Sequence, residues 1–313
     1  MISSLKIYAL YVLKGMGMGA ANVIPGVSGG TIALITGVFE RIINAIKSFD
    51  GNAIKLLYQR RFRELLSYID FYFLVAIFSG MIISIITLAR LFEHLFGNYP
   101  VLIWSYFFGL ILASVYFVGK TVSKWTTSVV VTFIIGAAIA VFVSFMNPAA
   151  QNDSFLYLFI CGIVAICSMI LPGLSGSFVL MLMGNYELVA IHAINDFNIQ
   201  ILFPVGLGAI FGLIAFSHFL SWIFKKYKNQ TISILTGFIL GSLSIIWPWK
   251  NPIYRMDTLG NPLVKNGKQI VQGYDFALPE SINLEFVFAI GLILLGVISI
   301  ALIEKFASEK VIK

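Results

Sequence analysis

Pro25-Gly26-Val27-Ser28-Gly29 and Pro172-Gly173-Leu174-Ser175-Gly176 are one pattern written twice, 147 residues apart in a chain of 313. Proline ends the apolar run before it, because it lacks an amide hydrogen and crowds the preceding turn. The glycine that follows permits a tight turn. Ser28 or Ser175 is then placed to cap a new helix, whose first N–H groups have no partner within the helix. Each copy predicts a helix, an elbow and a second helix. At the same offset Gly37 matches Gly184, Phe39 matches Tyr186 and Glu40 matches Glu187. A second alignment, at an offset of 128, brings Gly80 onto Gly208, Gly109 onto Gly237 and Ser114 onto Ser242. The basic stretch around 47–66, which the second half lacks, accounts for the change of offset.

The composition says where these elbows sit. The chain is 59% hydrophobic and 11% charged, with a mean hydropathy of +0.94. A soluble domain carries roughly 25% charged residues, so a soluble enzyme with a polar coat is excluded. Apolar segments fall at about 5–24, 28–46, 72–92, 101–119, 126–146, 155–171, 175–194, 199–224, 231–248 and 285–305. In lipid the backbone must satisfy its own hydrogen bonds, so helices are expected for all ten. The polar, Asn-, Gly- and Pro-rich stretch 249–284 is expected outside the membrane as a loop or small hairpin.

Each half is thus a five-segment unit, and an odd number puts the second unit upside down. The expected fold is an all-α polytopic membrane protein of two inverted-topology repeats, residues 1–150 and 151–313. Each repeat starts with a re-entrant helical hairpin, 5–46 or 155–194, followed by three spans. Charge placement fits. Arg41, Lys47, Lys55, Arg60, Arg61 and Arg63, then Lys120 and Lys124, then Lys225, Lys226 and Lys228, then Lys305, Lys310 and Lys313 all fall on one side if ten passes alternate. Basic loops mark the cytoplasmic side, so both termini are expected there. The net charge of +7 reflects topology and anionic lipid, not nucleic acid. Lys14 interrupts the first apolar run and no small-residue cleavage site follows, unlike a cleavable signal peptide.

Two readings of the elbows stand side by side. One is a tight helical turn at the surface, with glycines for packing. The other is an anion site: a bare helix start in apolar surroundings presents N–H groups to a negative charge. Gly29, Gly30, Gly176 and the small Ser177 leave those starts open, and Thr31 adds a hydroxyl. Two copies in inverted halves favour the second reading, because broken helices at membrane depth are tolerated mainly where they line a cavity.

Charged residues near the segments have paired readings too. Glu40 and Glu187 are interfacial charges or protonatable coupling groups. Lys14 reaches a phosphate or snorkels to the interface. Arg41 pairs with Glu40 or assists an anion. Arg90 and His218, matched at the 128 offset, bind an anion, or Arg90 snorkels and His218 is satisfied within the bundle. Gly15 to Gly19 and Gly206-x-Gly208-x-x-x-Gly212 read as helix-packing seams. Trp104, Trp125, Trp222, Trp247 and Trp249 read as an interfacial belt. Cys161 and Cys167, six residues apart in one segment, lie on nearly opposite helix faces and read as small core residues. His94, His192 and His218 are too scattered to suggest a metal site, no nucleotide-binding motif occurs, and nothing points to a cofactor.

The run from Lys14 through Asn22-Val23-Ile24-Pro25-Gly26-Val27-Ser28-Gly29-Gly30-Thr31 to Ala33 resembles the signature of the DUF368 membrane family, and Leu171-Pro172-Gly173-Leu174-Ser175-Gly176-Ser177 resembles its second signature. The resemblance covers nearly the whole chain apart from 249–284. Members of that family are bacterial polyprenyl-phosphate translocases. The resemblance implies a flippase returning undecaprenyl phosphate, or a related polyprenyl phosphate, from the outer to the cytoplasmic leaflet of the plasma membrane. Asn22, Pro25, Gly26, Ser28, Gly29, Gly30 and Thr31, with Pro172, Gly173, Ser175, Gly176 and Ser177, are the expected phosphate site, assisted by Lys14, Arg41 and Arg90. Two alternatives remain at this stage. An undecaprenyl-pyrophosphate phosphatase shares the Pro-Gly-x-Ser element, but its arginine after the serine is replaced here by Gly29 and Gly176, and no membrane segment carries Glu-x-x-x-Glu. A small-anion transporter is the other.

Overall fold

The computed structural model describes residues 2–23, 28–146, 148–194, 196–254, 264–265, 268–269, 271–279 and 281–309. Helix α1 (Ile2–Val23) leads to α2 (Gly29–Ile35) and α3 (Phe39–Lys47), then to two short helices, α4 (Gly51–Tyr58) and α5 (Phe62–Tyr68). Three long helices follow: α6 (Phe71–Asn98), α7 (Pro100–Gly119) and α8 (Thr127–Ser144). The second half runs through α9 (Phe155–Ile170), α10 (Gly176–Leu182), a π-helix (Glu187–Ala193), α11 (Ile199–Lys226), α12 (Lys228–Ser242) and α13 (Leu284–Glu309).

Among the described residues, five helices are long and apolar enough to cross a membrane alone, α6, α7, α8, α11 and α13, or six spans if the bent pair α2–α3 counts as one. Their outward faces carry exposed Ile82, Ile86, Ile134, Phe142, Ile210, Phe211, Leu294 and Ile298, as lipid contact requires. The ten expected segments are all helical, but not as ten uninterrupted passes. Segment 28–46 breaks between α2 and α3 with a bend of 113°. The break has a local cause. Gly37 takes φ +71°, its N–H bonds Leu34 O at 3.2 Å, and Val38 N–H bonds Ala33 O at 2.9 Å. That is the paired closure of a helix end on a left-handed glycine. Segment 175–194 breaks in the same way: Gly184 takes φ +72°, with Gly184 N–H to Met181 O at 2.9 Å and Asn185 N–H to Leu180 O at 3.0 Å. Segments α9 and α12, at 16 and 15 residues, are shorter than a straight crossing needs.

The fold is mostly helical rather than all-α. In the insert, β1 (Lys250–Tyr254) pairs antiparallel with β4 (Val271–Phe276), and β2 (Val264–Lys265) pairs with β3 (Lys268–Gln269), so the expected loop or hairpin is a hairpin. The basic stretch after α3 is helical too: Asp50 caps α4 by accepting from the Asn52 and Ala53 amides at 2.9 and 3.1 Å.

Glycines set the helix pairs. A Cβ on Gly15 or Gly19 would strike the backbone of Ile77 or Met81, and one on Gly80 that of Val12, so α1 and α6 run parallel in near contact. In the second half, Gly162 abuts Val205 and Gly208 abuts Phe159, so α9 and α11 pack in the same way. These contacts are related by the offsets of 147 and 128 read in the sequence. Gly212 also packs closely on α9, whereas Gly206 faces open space and is no packing glycine. The remaining helices exchange partners between halves. Gly109 and Gly296 join α7 to α13, and Gly136 and Gly237 join α8 to α12.

Helix α3 ties the ends together. Arg41 bonds Asp70, just before α6, while Asn44 and Phe39 touch Ser221 and Phe224 near the end of α11. The start of α6 and the end of α11 therefore share one face, and the two helices run in opposite directions. Ser123, beside Lys120 and Lys124, bonds Asn229 at 3.3 Å, which brings the second and third basic clusters together. Tryptophan placement is mixed. Trp125 and Trp222 are exposed near helix ends, but Trp104 is buried in the core beneath Phe96 rather than sitting in a belt.

Candidate functional site

The two elbows meet. Ser28 is buried, and its hydroxyl is aimed at the carbonyls of Leu171 (3.2 Å) and Met169 (3.4 Å). Thr31, fully buried, accepts a hydrogen bond from the Gly173 amide at 3.2 Å. A Cβ on Gly30 would lie 2.6 Å from the Ile170 carbonyl, so only glycine lets the backbones approach this closely. Gly173, at φ +82°, presses likewise on Phe238. Pro25 and Gly26 lie outside the described residues. Pro172 and Gly173 are buried.

The depth of the elbows follows from the glycine seams. Gly19 lies against Met81, so the end of α1 comes level with the middle of α6. Gly212 lies against Ile163 and Ile166, so the last turn of α9 comes level with the middle of α11.

The two helix starts differ in what they offer. At the first, Gly29 N–H is bonded to Asn22 Oδ1 at 2.7 Å, Gly30 N–H to Ser28 Oγ at 3.1 Å and Thr31 N–H to Ser28 O at 2.9 Å. Its amides are already satisfied. At the second, Ser175 makes no capping bond and instead pairs with Ser177 hydroxyl to hydroxyl at 2.8 Å. The amides of Gly176, Ser177 and Phe178 find no acceptor among the described residues. Ser177 is exposed and Ser175 half-buried. The sequence difference behind this is at one matched position: Asn22 in the first half stands opposite Met169 in the second, whose side chain has no oxygen to offer Gly176. The capping role of Asn22 was not apparent from the sequence, although an Asn seven residues before a bare helix start is a signal for it.

The cations expected to assist are engaged elsewhere. Lys14 donates to the Thr36 carbonyl at 2.7 Å, at the C-terminal end of α2, where a positive charge is favoured. Arg41 grips Asp70 with two bonds, at 2.6 and 3.0 Å, bonds the Tyr11 hydroxyl, and stacks over Phe73 at 4.1 Å. It borders a polar cavity of about 570 Å³ on the basic face, together with Glu40, Asn44, Ser67, Tyr68 and Asp70. Glu40 pairs with Lys228 at 3.4 Å rather than with Arg41. Glu187 opens the π-helix on the opposite face, and His218 Nδ1 lies 2.9 Å from the Ile214 carbonyl on α11. Arg90 is in α6, and its side chain lies outside the described part. Cys161 is buried and Cys167 half-buried, both as free thiols.

This arrangement can present amides and hydroxyls to an anion at one elbow, inside an apolar bundle. Comparisons with known proteins agree in kind. Residues 18–261 match the VCA0040-like family, described as undecaprenyl phosphate translocase-like. A polyprenyl-phosphate transporter of Vibrio cholerae serotype O1 is 36% identical over 305 residues, covering 96% of this chain and 98% of its own. A polyprenyl-phosphate transporter of Staphylococcus aureus is 31% identical over 254 residues, covering 76% of this chain and 85% of its own. The first alignment extends into the 249–284 insert, which therefore belongs to the shared length. No solved structure matches the chain.

Proposed function

Since this chain belongs to the VCA0040-like, undecaprenyl phosphate translocase-like family, we propose that it is a polyprenyl-phosphate flippase working by alternating access. It returns undecaprenyl phosphate from the outer to the cytoplasmic leaflet of a bacterial plasma membrane, so that the lipid serves again as carrier for envelope glycans. The observation that carries this reading is the meeting of two elbows from opposite halves, through Ser28 with Leu171 and Thr31 with Gly173.

The physical problem is the head group. A phosphate cannot enter hydrocarbon unaided, because an unpaired charge there is very costly, whereas the isoprenoid tail stays in lipid throughout. A flippase needs polar groups at membrane depth and a way to show them to each side in turn. Helices α6 and α11 have 28 residues each, or about 42 Å of rise, against a hydrocarbon core of about 30 Å. Elbows level with their middles lie near the bilayer midplane. The free amides of Gly176, Ser177 and Phe178, with the Ser175 and Ser177 hydroxyls, are the phosphate cradle in this state. Ser28, Gly29, Gly30, Thr31 and Asn22 take that part when the first elbow is uncovered, and Pro172 and Gly173 shape the turn of the second.

The two halves are inverted repeats on this reading. Supporting it are the paired glycine seams at constant offsets and the opposite directions of α6 and α11. The face that gathers Arg41, Lys47, Lys120 and Lys225 is cytoplasmic. Glu40, Glu187 and His218 are the titratable groups available for coupling to an ion gradient.

The test is translocation of a labelled polyprenyl phosphate in proteoliposomes. Ser177→Trp fills the open elbow without touching a buried contact, and is expected to fold normally and lose translocation. Normal transport by Ser177→Trp would remove the elbow from the mechanism. The wild-type protein is expected to release no inorganic phosphate from undecaprenyl pyrophosphate; release would favour the phosphatase reading.

A further inference from the structure

One seam between the halves is closed and its counterpart is not. At the basic face α3 lies along the end of α11: the Phe39 and Phe224 rings are 5.8 Å apart, Ser221 bonds Asn44 at 2.9 Å, Lys47 reaches Ser221 at 3.4 Å, and Glu40 pairs with Lys228 on α12 at 3.4 Å. The two sequence offsets map this seam onto the opposite face. Phe39 corresponds to Tyr186 at the start of the π-helix, and Phe224 corresponds to Phe96 near the end of α6. The aromatic character is kept at both positions, yet the contact is not made. Among the described residues the π-helix packs on the start of α11, through Val189, Ala193 and Ile201, and has no comparable packing on α6. Phe96 turns instead to Trp104 and Phe107, with ring centroids 5.0 and 6.5 Å away. The elbows carry the same asymmetry: Ser28 and Thr31 are buried, and Ser177 is exposed.

We propose that the α3–α11 seam is the gate at the basic face, closed in this structure, and that a π-helix–α6 seam centred on Tyr186 and Phe96 closes the opposite face when it opens. The proposal rests on the transport reading above. It assigns this structure to the state open away from the basic loops, with the second elbow on offer and the first covered. The closed seam is suited to the role. Its polar contacts are two hydroxyl bonds and an exposed ion pair, each worth little alone, and its apolar part is a small patch around Phe39, Ile43 and Phe224. Two alternative packings of this kind differ little in free energy, as a bistable transporter requires.

Distances across the two seams test it directly. In a background with Cys161→Ala and Cys167→Ala, spin labels at Asn44→Cys and Ser221→Cys report one seam, and labels at Tyr186→Cys and Phe96→Cys the other. In liposomes without substrate, the first pair is expected to be short and the second long, and a labelled population with the reverse is expected when a polyprenyl phosphate is added. A first distance that never lengthens, or two distances that change together, overturns the gate, whatever the substrate proves to be. A disulfide between Asn44→Cys and Ser221→Cys is expected to stop translocation, and a reductant to restore it. Undiminished transport by the cross-linked protein overturns the gate. A reduced protein that moves no polyprenyl phosphate counts against the transport reading, and the distances still decide the gate.

Discussion

The Thr31 hydroxyl accepts the Gly173 amide at 3.2 Å, although 142 residues separate them, and so joins the elbow of one half to the turn of the other. Both partners are fully enclosed, so no water replaces either. Thr31→Val keeps the shape and removes the acceptor. It is expected to lower stability by about 1–3 kcal/mol, the cost of a buried polar group left unsatisfied, while Thr31→Ser holds near the wild-type value. Thermal unfolding in detergent, followed by circular dichroism, measures the difference.

The serines of the two elbows should separate binding from stability. If the second elbow is the phosphate cradle, removing its two hydroxyls, Ser175→Ala with Ser177→Ala, takes away hydrogen bonds to a charged head group worth about 1.5–3 kcal/mol, roughly a ten- to hundredfold loss in apparent affinity. Unfolding of that variant is expected to stay where the wild type's is. Ser28→Ala should do the reverse first, because Ser28 holds Gly30 N–H and the Leu171 carbonyl in the interior. Titration of both variants with a polyprenyl phosphate, beside their melting curves, checks the contrast.

Matched glycines should carry matched penalties. Gly15→Ala and Gly162→Ala each drive a methyl group into a carbonyl on the neighbouring helix, at Ile77 and Val205. Overpacking of this sort costs about 1–3 kcal/mol, and the two variants are expected to agree. Gly291→Ala, where nothing lies within 4 Å of the added carbon, is the control and should be neutral or slightly stabilising. Melting temperatures and yields in detergent are the readout.

Lys250 supplies a pH signature. It lies in β1, its ammonium nitrogen is 3.6 Å from the centre of the Trp104 ring, and it donates to the Ile245 carbonyl at 2.8 Å. Burial pushes its amine down to about 7. Above that value the unfolded chain binds more protons than the folded one, until the ordinary lysine value of about 10.4 is passed. Stability should therefore rise as pH increases from about 7 toward 10, and Lys250→Met should flatten that rise. Flat wild-type melting between those limits would show that the Trp104 ring holds the charge despite burial.

Much of the helix plan could be read from the chain, because apolar length and repeated glycines are one-dimensional signals. The offsets of 147 and 128 carry Gly15 to Gly162 and Gly80 to Gly208, and each pair makes the same carbonyl contact. The breaks at Gly37 and Gly184 were visible only as a matched pair; that each takes a left-handed turn depends on the closing bonds from Val38 and Asn185. The partners of long charged side chains were not legible. Lys14, Arg41 and Glu40 can each reach a wide region, and which group they meet is set by helices distant in sequence: Thr36, Asp70 and Lys228. Both elbows were expected to serve the phosphate, and the difference between them turns on the Asn22 side chain, which bonds Gly29 seven residues further on.

The exchange of partners, α7 with α13 and α8 with α12, has a consequence for how such a chain arose. Cut near residue 150, the first piece would keep α1 against α6 but lose the glycine-lined mates of its last two helices. It could bury those surfaces only against another molecule. On the inverted-repeat proposal, a half-length ancestor would have had to work as two copies inserted in opposite senses, each covering the other's last two helices.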